Sequence, residues 1–336
     1  MMSVKTLKRT SFSLVAALLV AGAAQAADIV IYDGSIHSLA GIVNKGSKVL
    51  LNGKKSGPMS PILISEDAYD VSKNLAITEN FFRTKFGMNS YDNQGSPIEA
   101  IVRVGRMGVG SWHMDFLNVR ENALWKGSSK VFMFGVGDKE TLSGYPKALD
   151  VIAHEYTHAI DGATVNLRYE GQSGALKEHI ADMFGQMVQV ANGGKDDFLW
   201  GENIASPALL KKISEKRKNP VLAIRNLLDP TRGLISQPPT MAQIPEKFGP
   251  QCVPAADNDK CGVHLLDGIP NQAVSYIVVE LGWEKVGKIL FNVLTKRLHQ
   301  NSDFADYAKQ WRAECHSQLS AADCSVVNDS FEAVGL

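Results

Sequence analysis

The sequence predicts an α+β protein of two lobes, a mixed, strand-rich N-terminal lobe and a helical C-terminal lobe. Two observations carry this reading. Short apolar runs bounded by turn residues dominate up to about residue 135, and 3.6-residue periodicity dominates after residue 147. The composition, 45% hydrophobic and 21% charged over 336 residues, leaves ample material for a large core and excludes a disordered or collagenous chain. Lys plus Arg equals Asp plus Glu at 35 each, so no basic excess recommends nucleic acid.

Taken in order, residues 1–26 read as an export signal. Lys5, Lys8 and Arg9 form a basic start, Phe12 to Ala21 an apolar run relieved only by Ser13, and Ala24-Gln25-Ala26 a small-residue cleavage site. The run is about ten residues where a bilayer needs about 20, so it is not a membrane span. The mature chain is expected to begin near Ala27 with 32 basic and 35 acidic residues, a net charge of −3. Ile29 to Tyr32 and Lys48 to Asn52 read as strands, followed by a Pro58-Met59-Ser60-Pro61 break. From Asp67 to Phe86, Ala68, Val71, Leu75, Phe82 and Phe86 recur at helical spacing, and Gly87 is a suitable terminator. Ile98 to Val104 and Lys130 to Phe134 read as strands. Helices are predicted over 147–162, 173–191, 207–217, 270–281, 283–299, 303–317 and 324–334, and the Pro-rich stretch from Pro230 to Asn258 as irregular loop. The division is therefore 1–26 signal, 27–164 N-terminal lobe including the first helix of that series, and 165–336 helical lobe.

Cys252, Cys261, Cys315 and Cys324 are an even set in an exported chain, which favours disulfides. Three connectivities are open, and neighbour pairing, 252 with 261 and 315 with 324, is the simplest. Zinc is the rival reading, but no C-x-x-C spacing supports it.

The helix at 147–162 contains His154-Glu155-Tyr156-Thr157-His158. Residues four apart lie one turn up on one face, so two imidazoles can grip one ion while Glu155, rotated off that face, can take a proton from bound water. Glu178 lies 20 residues beyond His158 on the next helix. Three protein ligands leave a fourth position for water, as in catalytic zinc sites. Asp182, one turn beyond Glu178, is placed to accept the outer N–H of a ligand histidine.

These residues resemble the thermolysin-like neutral metallopeptidases, and the likeness runs from about Asp67 to the C-terminus. Asn122-Ala123-Leu124-Trp125 is similar to the family's substrate-binding edge segment, and Asp150-Val151-Ile152-Ala153 to its approach to the zinc helix. Tyr169 stands at the position of a tyrosine aimed at the oxyanion, and Arg225 at that of an arginine that binds the substrate carbonyl past the cleaved bond. Gly262-Val263-His264 matches the segment of the second catalytic histidine, with Asp259 where an aspartate supports it.

The resemblance implies a secreted or periplasmic, monomeric endopeptidase with one zinc ion on His154, His158 and Glu178, acting on proteins or peptides. It implies Glu155 as base and Tyr169 and His264 as oxyanion donors. Leu142, Tyr145, Val151, Trp200 and Ile204 would line the pocket for a hydrophobic residue after the cut. Departures are equally plain. Lys177 replaces an Asn, and Leu266-Asp267 replaces an Asn-Ser pair. Asp150, Asp197 and Glu202 match calcium ligands, but Gln189 and Leu199 stand where carboxylates are expected, so one calcium ion or none is predicted. Almost nothing lies between the signal and the domain where the family carries a long pro-region. An aminopeptidase would need a Gly-x-Met-x-Asn segment, which is missing. An inactive homologue acting as a binding module is the alternative, although Glu155 and His264 are both retained.

Overall fold

The computed structural model describes residues 26–34, 47–56, 64–104, 120–138 and 140–336. The expected signal up to residue 25 and the proline break at 58–61 lie outside the described residues.

Among the described residues, the N-terminal lobe is built on a six-stranded sheet of β1 (Ile29–Asp33), β2 (Ser47–Leu51), β3 (Lys54–Lys55), β4 (Ile98–Val104), β5 (Ala123–Lys126) and β6 (Val131–Gly135). The order is β3-β2-β1-β4-β6-β5. β1–β4 and β4–β6 run parallel and the remaining pairs antiparallel. β6 is buried at every position, as a strand covered on both faces must be, whereas β5 at the edge is only half-buried. Helix α1 (Glu66–Phe86) starts on Ser65, whose hydroxyl accepts the Ala68 N–H at 3.3 Å. It ends on Gly87 in the left-handed conformation, φ 71°. Acidic residues at its start and Arg83 and Lys85 in its last turn suit the helix dipole.

Helix α2 (Leu149–Ala163) closes the N-terminal lobe. The second lobe comprises α3 (Gly171–Ala191), α4 (Pro207–Arg217), α5 (Asp259–Leu266), α6 (Gly268–Leu281), α7 (Trp283–Asn292), α8 (Phe304–Gln318) and α9 (Ala321–Ala333), with a small ribbon of β7 (Leu199–Trp200) and β8 (Arg225–Asn226). One continuous apolar core runs from the sheet through α1, α2 and α3 into α6 to α9. At its centre the Phe82 ring of α1 stacks on Tyr156 of α2 at 5.5 Å, and Tyr156 stacks on Phe132 of β6 at 6.0 Å. α2 is thus fixed between sheet and helical lobe.

Some boundaries differ from expectation. The helix predicted to 299 ends at Asn292 and continues as a π-turn over Val293–Arg297. The last helix begins three residues early because Ser320 and Asp323 form a reciprocal cap. The Pro-rich stretch is irregular as expected, broken by short 3₁₀ turns. The two disulfides are Cys252–Cys261 and Cys315–Cys324, the neighbour pairing.

Candidate active site

A cleft between the lobes is lined by β5, by α2 and α3, and by Trp200, Arg225 and His264. His154, Glu155 and His158 project from α2, and Glu178 enters from α3. His154 and His158 face each other through their Nε2 atoms at 3.0 Å, and each Nε2 lies 3.4 Å from a Glu178 carboxylate oxygen. A tetrahedral ion with bonds of 2.0–2.1 Å needs ligand atoms about 3.3 Å apart; these contacts are of that size, although the two imidazoles approach different oxygens of Glu178. Among the described residues this is the group of His, Cys, Asp or Glu side chains that converges in the manner of a metal site.

The electrostatics agree. Burial holds His158 down at about 3, a neutral imidazole with a free lone pair. Burial also disfavours charge on His154, yet Asp182 and Glu178 override it and lift that ring to about 10. Buried carboxylates pressing on an imidazole call for positive charge, which a proton or a divalent cation supplies. Asp182 Oδ1 lies 2.9 Å from His154 Nδ1, the arrangement that leaves Nε2 free for a metal.

Glu155 stands outside this triangle. Its Oε2 accepts the Trp125 backbone N–H of β5 at 2.7 Å, a partner invisible in the sequence. Burial, opposed by His154, pushes its carboxyl up to about 7. The Tyr169 hydroxyl donates to Glu178 Oε1 at 2.8 Å and sits 2.9 Å from His264 Nε2. His264 is oriented from behind by Asp259, whose Oδ1 lies 2.6 Å from Nδ1 and whose Oδ2 accepts the His264 N–H at 2.8 Å. Burial opposes charge on His264, but Glu178 and Asp259 raise it above its ordinary value.

Arg225 donates to Asp182 Oδ1 at 2.6 Å and lies under the Trp200 ring at 4.8 Å. Leu142, Tyr145, Val151, Trp200 and Ile204 all line the cleft, as do Asn122 and Ala123. Lys177, at a position where the resemblance calls for Asn, is tied to Asp161 at 2.6 Å. Asp267 is fully buried, accepts from Gln237 at 2.6 Å and faces Arg225 Nε at 3.4 Å.

Asp150, Asp197 and Glu202 do not join the metal group. Asp150 accepts the Gly201 N–H at 2.7 Å, Asp197 the Leu199 N–H at 3.1 Å, and Glu202 the Gln189 amide at 3.1 Å. Burial, reinforced by Glu202, pushes Asp150 up to about 7, so a proton can stand where an ion would.

The segment presenting His264 carries a conformation that nothing in the sequence announces. α5 opens with Asp259, Lys260, Cys261 and Gly262 at φ values of 55°, 50°, 68° and 79°, a turn of left-handed helix. Val263 then meets α3 where Gly174 leaves room, since a Cβ there would lie 2.4 Å from Val263 Cγ1.

An edge strand running beside a two-histidine, one-glutamate metal group is the layout of a metallopeptidase cleft. Comparison with known proteins makes that class specific. The chain matches the thermolysin metallopeptidase catalytic domain over residues 29–161 and the alpha-helical domain of the same family over residues 165–336. An extracellular elastase of Staphylococcus epidermidis is 30% identical over 259 residues, covering 77% of this chain and 44% of that protein. An extracellular metalloprotease of Pectobacterium carotovorum subsp. carotovorum is 31% identical over 287 residues, covering 83% and 74%. The solved precursor of protealysin, a metalloproteinase from Serratia proteamaculans, superposes with a TM-score of 0.70 at 27% identity, over 92% of this chain and 87% of that one. The chain belongs to the thermolysin metallopeptidase family. It spans less than half the length of the Staphylococcus elastase. Among the described residues no helix is long and apolar enough to cross a membrane.

Proposed function

We propose that this chain is an exported, monomeric zinc endopeptidase whose lobes divide at residues 164 and 165. The observation that carries the reading is the meeting of His154, His158 and Glu178 beside Glu155 in the cleft that β5 lines. A zinc ion there would act as a Lewis acid and lower the pKa of bound water to about 7.

The chain's own groups supply the remaining chemistry. Asn122 and the Ala123 backbone hold an extended peptide beside β5 as an added strand, a mode that tolerates many sequences. Arg225 takes the carbonyl past the scissile bond. Glu155 removes a proton from the attacking water and delivers it to the leaving amine. The Tyr169 hydroxyl and His264 Nε2, side by side at 2.9 Å, meet the negative charge that develops on the carbonyl oxygen. Leu142, Tyr145, Val151, Trp200 and Ile204 receive a hydrophobic residue after the cut, with Trp200 and Tyr145 limiting its size.

The test is zinc content of the purified protein together with casein cleavage before and after a chelator. One zinc per chain and chelator-sensitive cleavage are expected. A zinc-loaded protein that cleaves nothing would favour the binding-module alternative.

A further inference from the structure

His179 follows a metal-site glutamate on α3 yet points away from the cleft, and it is completely buried. Its ring joins two groups far off in sequence: Nδ1 lies 2.8 Å from Asn271 Oδ1 of α6, and Nε2 lies 2.6 Å from the Tyr307 hydroxyl of α8. Asn271 Nδ2 in turn donates to Asp182 Oδ2 at 3.0 Å. Asp182, Asn271, His179 and Tyr307 are all fully buried, so no solvent competes for these contacts.

The chemistry of the four groups gives every link a direction. A carboxylate only accepts, so Asn271 turns its NH₂ to Asp182 and its oxygen to His179. That oxygen also only accepts, so His179 carries its proton on Nδ1. Nε2 is then a lone pair, and Tyr307 donates to it. The chain runs from the Tyr307 O–H through His179 and Asn271 to Asp182. There it meets Arg225 Nη1 at 2.6 Å and His154 Nδ1 at 2.9 Å on the other carboxylate oxygen. With Oδ2 held from one side and Oδ1 loaded from the other, the carboxylate plane has little freedom to rotate.

We propose that His179 and Tyr307 are positioning residues for the metal site. They act through Asn271 to lock the Asp182 carboxylate, which fixes the ring plane and tautomer of His154 and so keeps its Nε2 aimed at the ion. The proposal rests on the reading of His154, His158 and Glu178 as the zinc site. Outer partners of ligand histidines govern metal affinity by about 10- to 100-fold, and a group two bonds further out acts at the lower end of that range.

The experiment uses the full chain and four proteins: wild type, His179→Leu, His179→Gln and Tyr307→Phe. Zinc affinity is read by competition with a chelating dye, coordination geometry by the visible spectrum of the cobalt-substituted forms, and folding by circular dichroism. Leu keeps bulk but offers neither donor nor acceptor. Gln offers one of each and can restore both directions. We expect zinc affinity to fall about tenfold in His179→Leu and about threefold in Tyr307→Phe, with altered cobalt spectra, and to recover in His179→Gln. If His179→Leu does not fold, Tyr307→Phe against His179→Gln carries the same contrast.

Folded variants that match wild type in zinc affinity and cobalt spectrum would overturn the proposal and leave His179 a packing residue. So would Leu and Gln variants equally impaired. A wild-type protein that binds no zinc would instead defeat the metal-site reading, before any variant is compared.

Discussion

The left-handed turn at Asp259 to Gly262 makes a sharp prediction about Cys252–Cys261. Left-handed backbone costs about 1–2 kcal/mol for each residue other than glycine, so Asp259, Lys260 and Cys261 together cost about 3–6 kcal/mol. Four hydrogen bonds oppose this: Asn258 Oδ1 accepts from Ala255 N at 2.9 Å and Cys261 N at 3.0 Å, Lys260 N donates to Ala255 O at 2.9 Å, and His264 N donates to Asp259 at 2.8 Å. At about 1 kcal/mol each they fall just short of the mid-range cost. The disulfide, with a sequence separation of 9, closes a short loop worth about 2.7 kcal/mol on the chain-entropy model. It therefore decides the balance. With it the turn is stable by about 2 kcal/mol, and without it the turn is marginal and formed in roughly a third of molecules.

The perturbation is Cys252→Ala with Cys261→Ala. The assay is kcat and KM on a fluorogenic peptide well below the melting temperature, normalised to folded, zinc-loaded protein. Because a transition-state donor helps only where it is already positioned, we expect kcat to fall about three- to tenfold with zinc content unchanged. Asn258→Ala removes two of the four hydrogen bonds and leaves the disulfide in place, so the turn stays formed in somewhat more than half of molecules and kcat should fall only about twofold. Unchanged kcat per folded, zinc-loaded molecule in both variants would refute the reasoning and reduce the bridge to a general staple.

Three further outcomes are expected. Glu155→Ala should abolish cleavage with one zinc retained, whereas Glu178→Ala should lose the metal; zinc analysis beside activity separates them, and substantial turnover by Glu155→Ala would disprove its role as base. Burial pushes Asp267 up to about 7, above its unfolded value near 3.9, with Arg225 pulling the other way. Its contribution to stability is thus complete below about pH 4 and lost as pH rises through about 7, so Asp267→Asn should gain in melting temperature on wild type between pH 5 and 8, and parallel curves would contradict this. A calcium-selective chelator should move the melting temperature little at pH 6, where Asp150 keeps a proton and Gln189 already occupies Glu202; a large drop restored by calcium would reveal ligands other than these.

Helical periodicity and local motifs are legible in the sequence because their physics is local. His154 and His158 share a face by the pitch of the helix alone, and α1 declares its end through Gly87. β7 and β8 are not legible, because strands of two residues carry no alternation to read. The left-handed turn is hidden for a different reason: Lys260 and Cys261 have no intrinsic preference for it, and Asn258, Asp259 and Cys252 impose it from outside. His179 reads as one more residue on an amphipathic helix because its partner Tyr307 lies 128 residues away. The metal group and Asp182 behind it follow from sequence, while Asn271, His179 and Tyr307 beyond Asp182 follow from tertiary structure.

Both disulfides join cysteines nine positions apart, which bears on how the chain becomes oxidised. In an unfolded chain the correct partner is the nearest one for all four thiols. The shortest mistaken pairing, Cys261 with Cys315, must close a loop more than five times longer, an entropic handicap of about 1.5 kcal/mol. Random encounter in the unfolded chain therefore favours the native pairs roughly tenfold, without help from folding. Maturation of this lobe calls for an oxidant, and an enzyme that reshuffles bonds has little to correct.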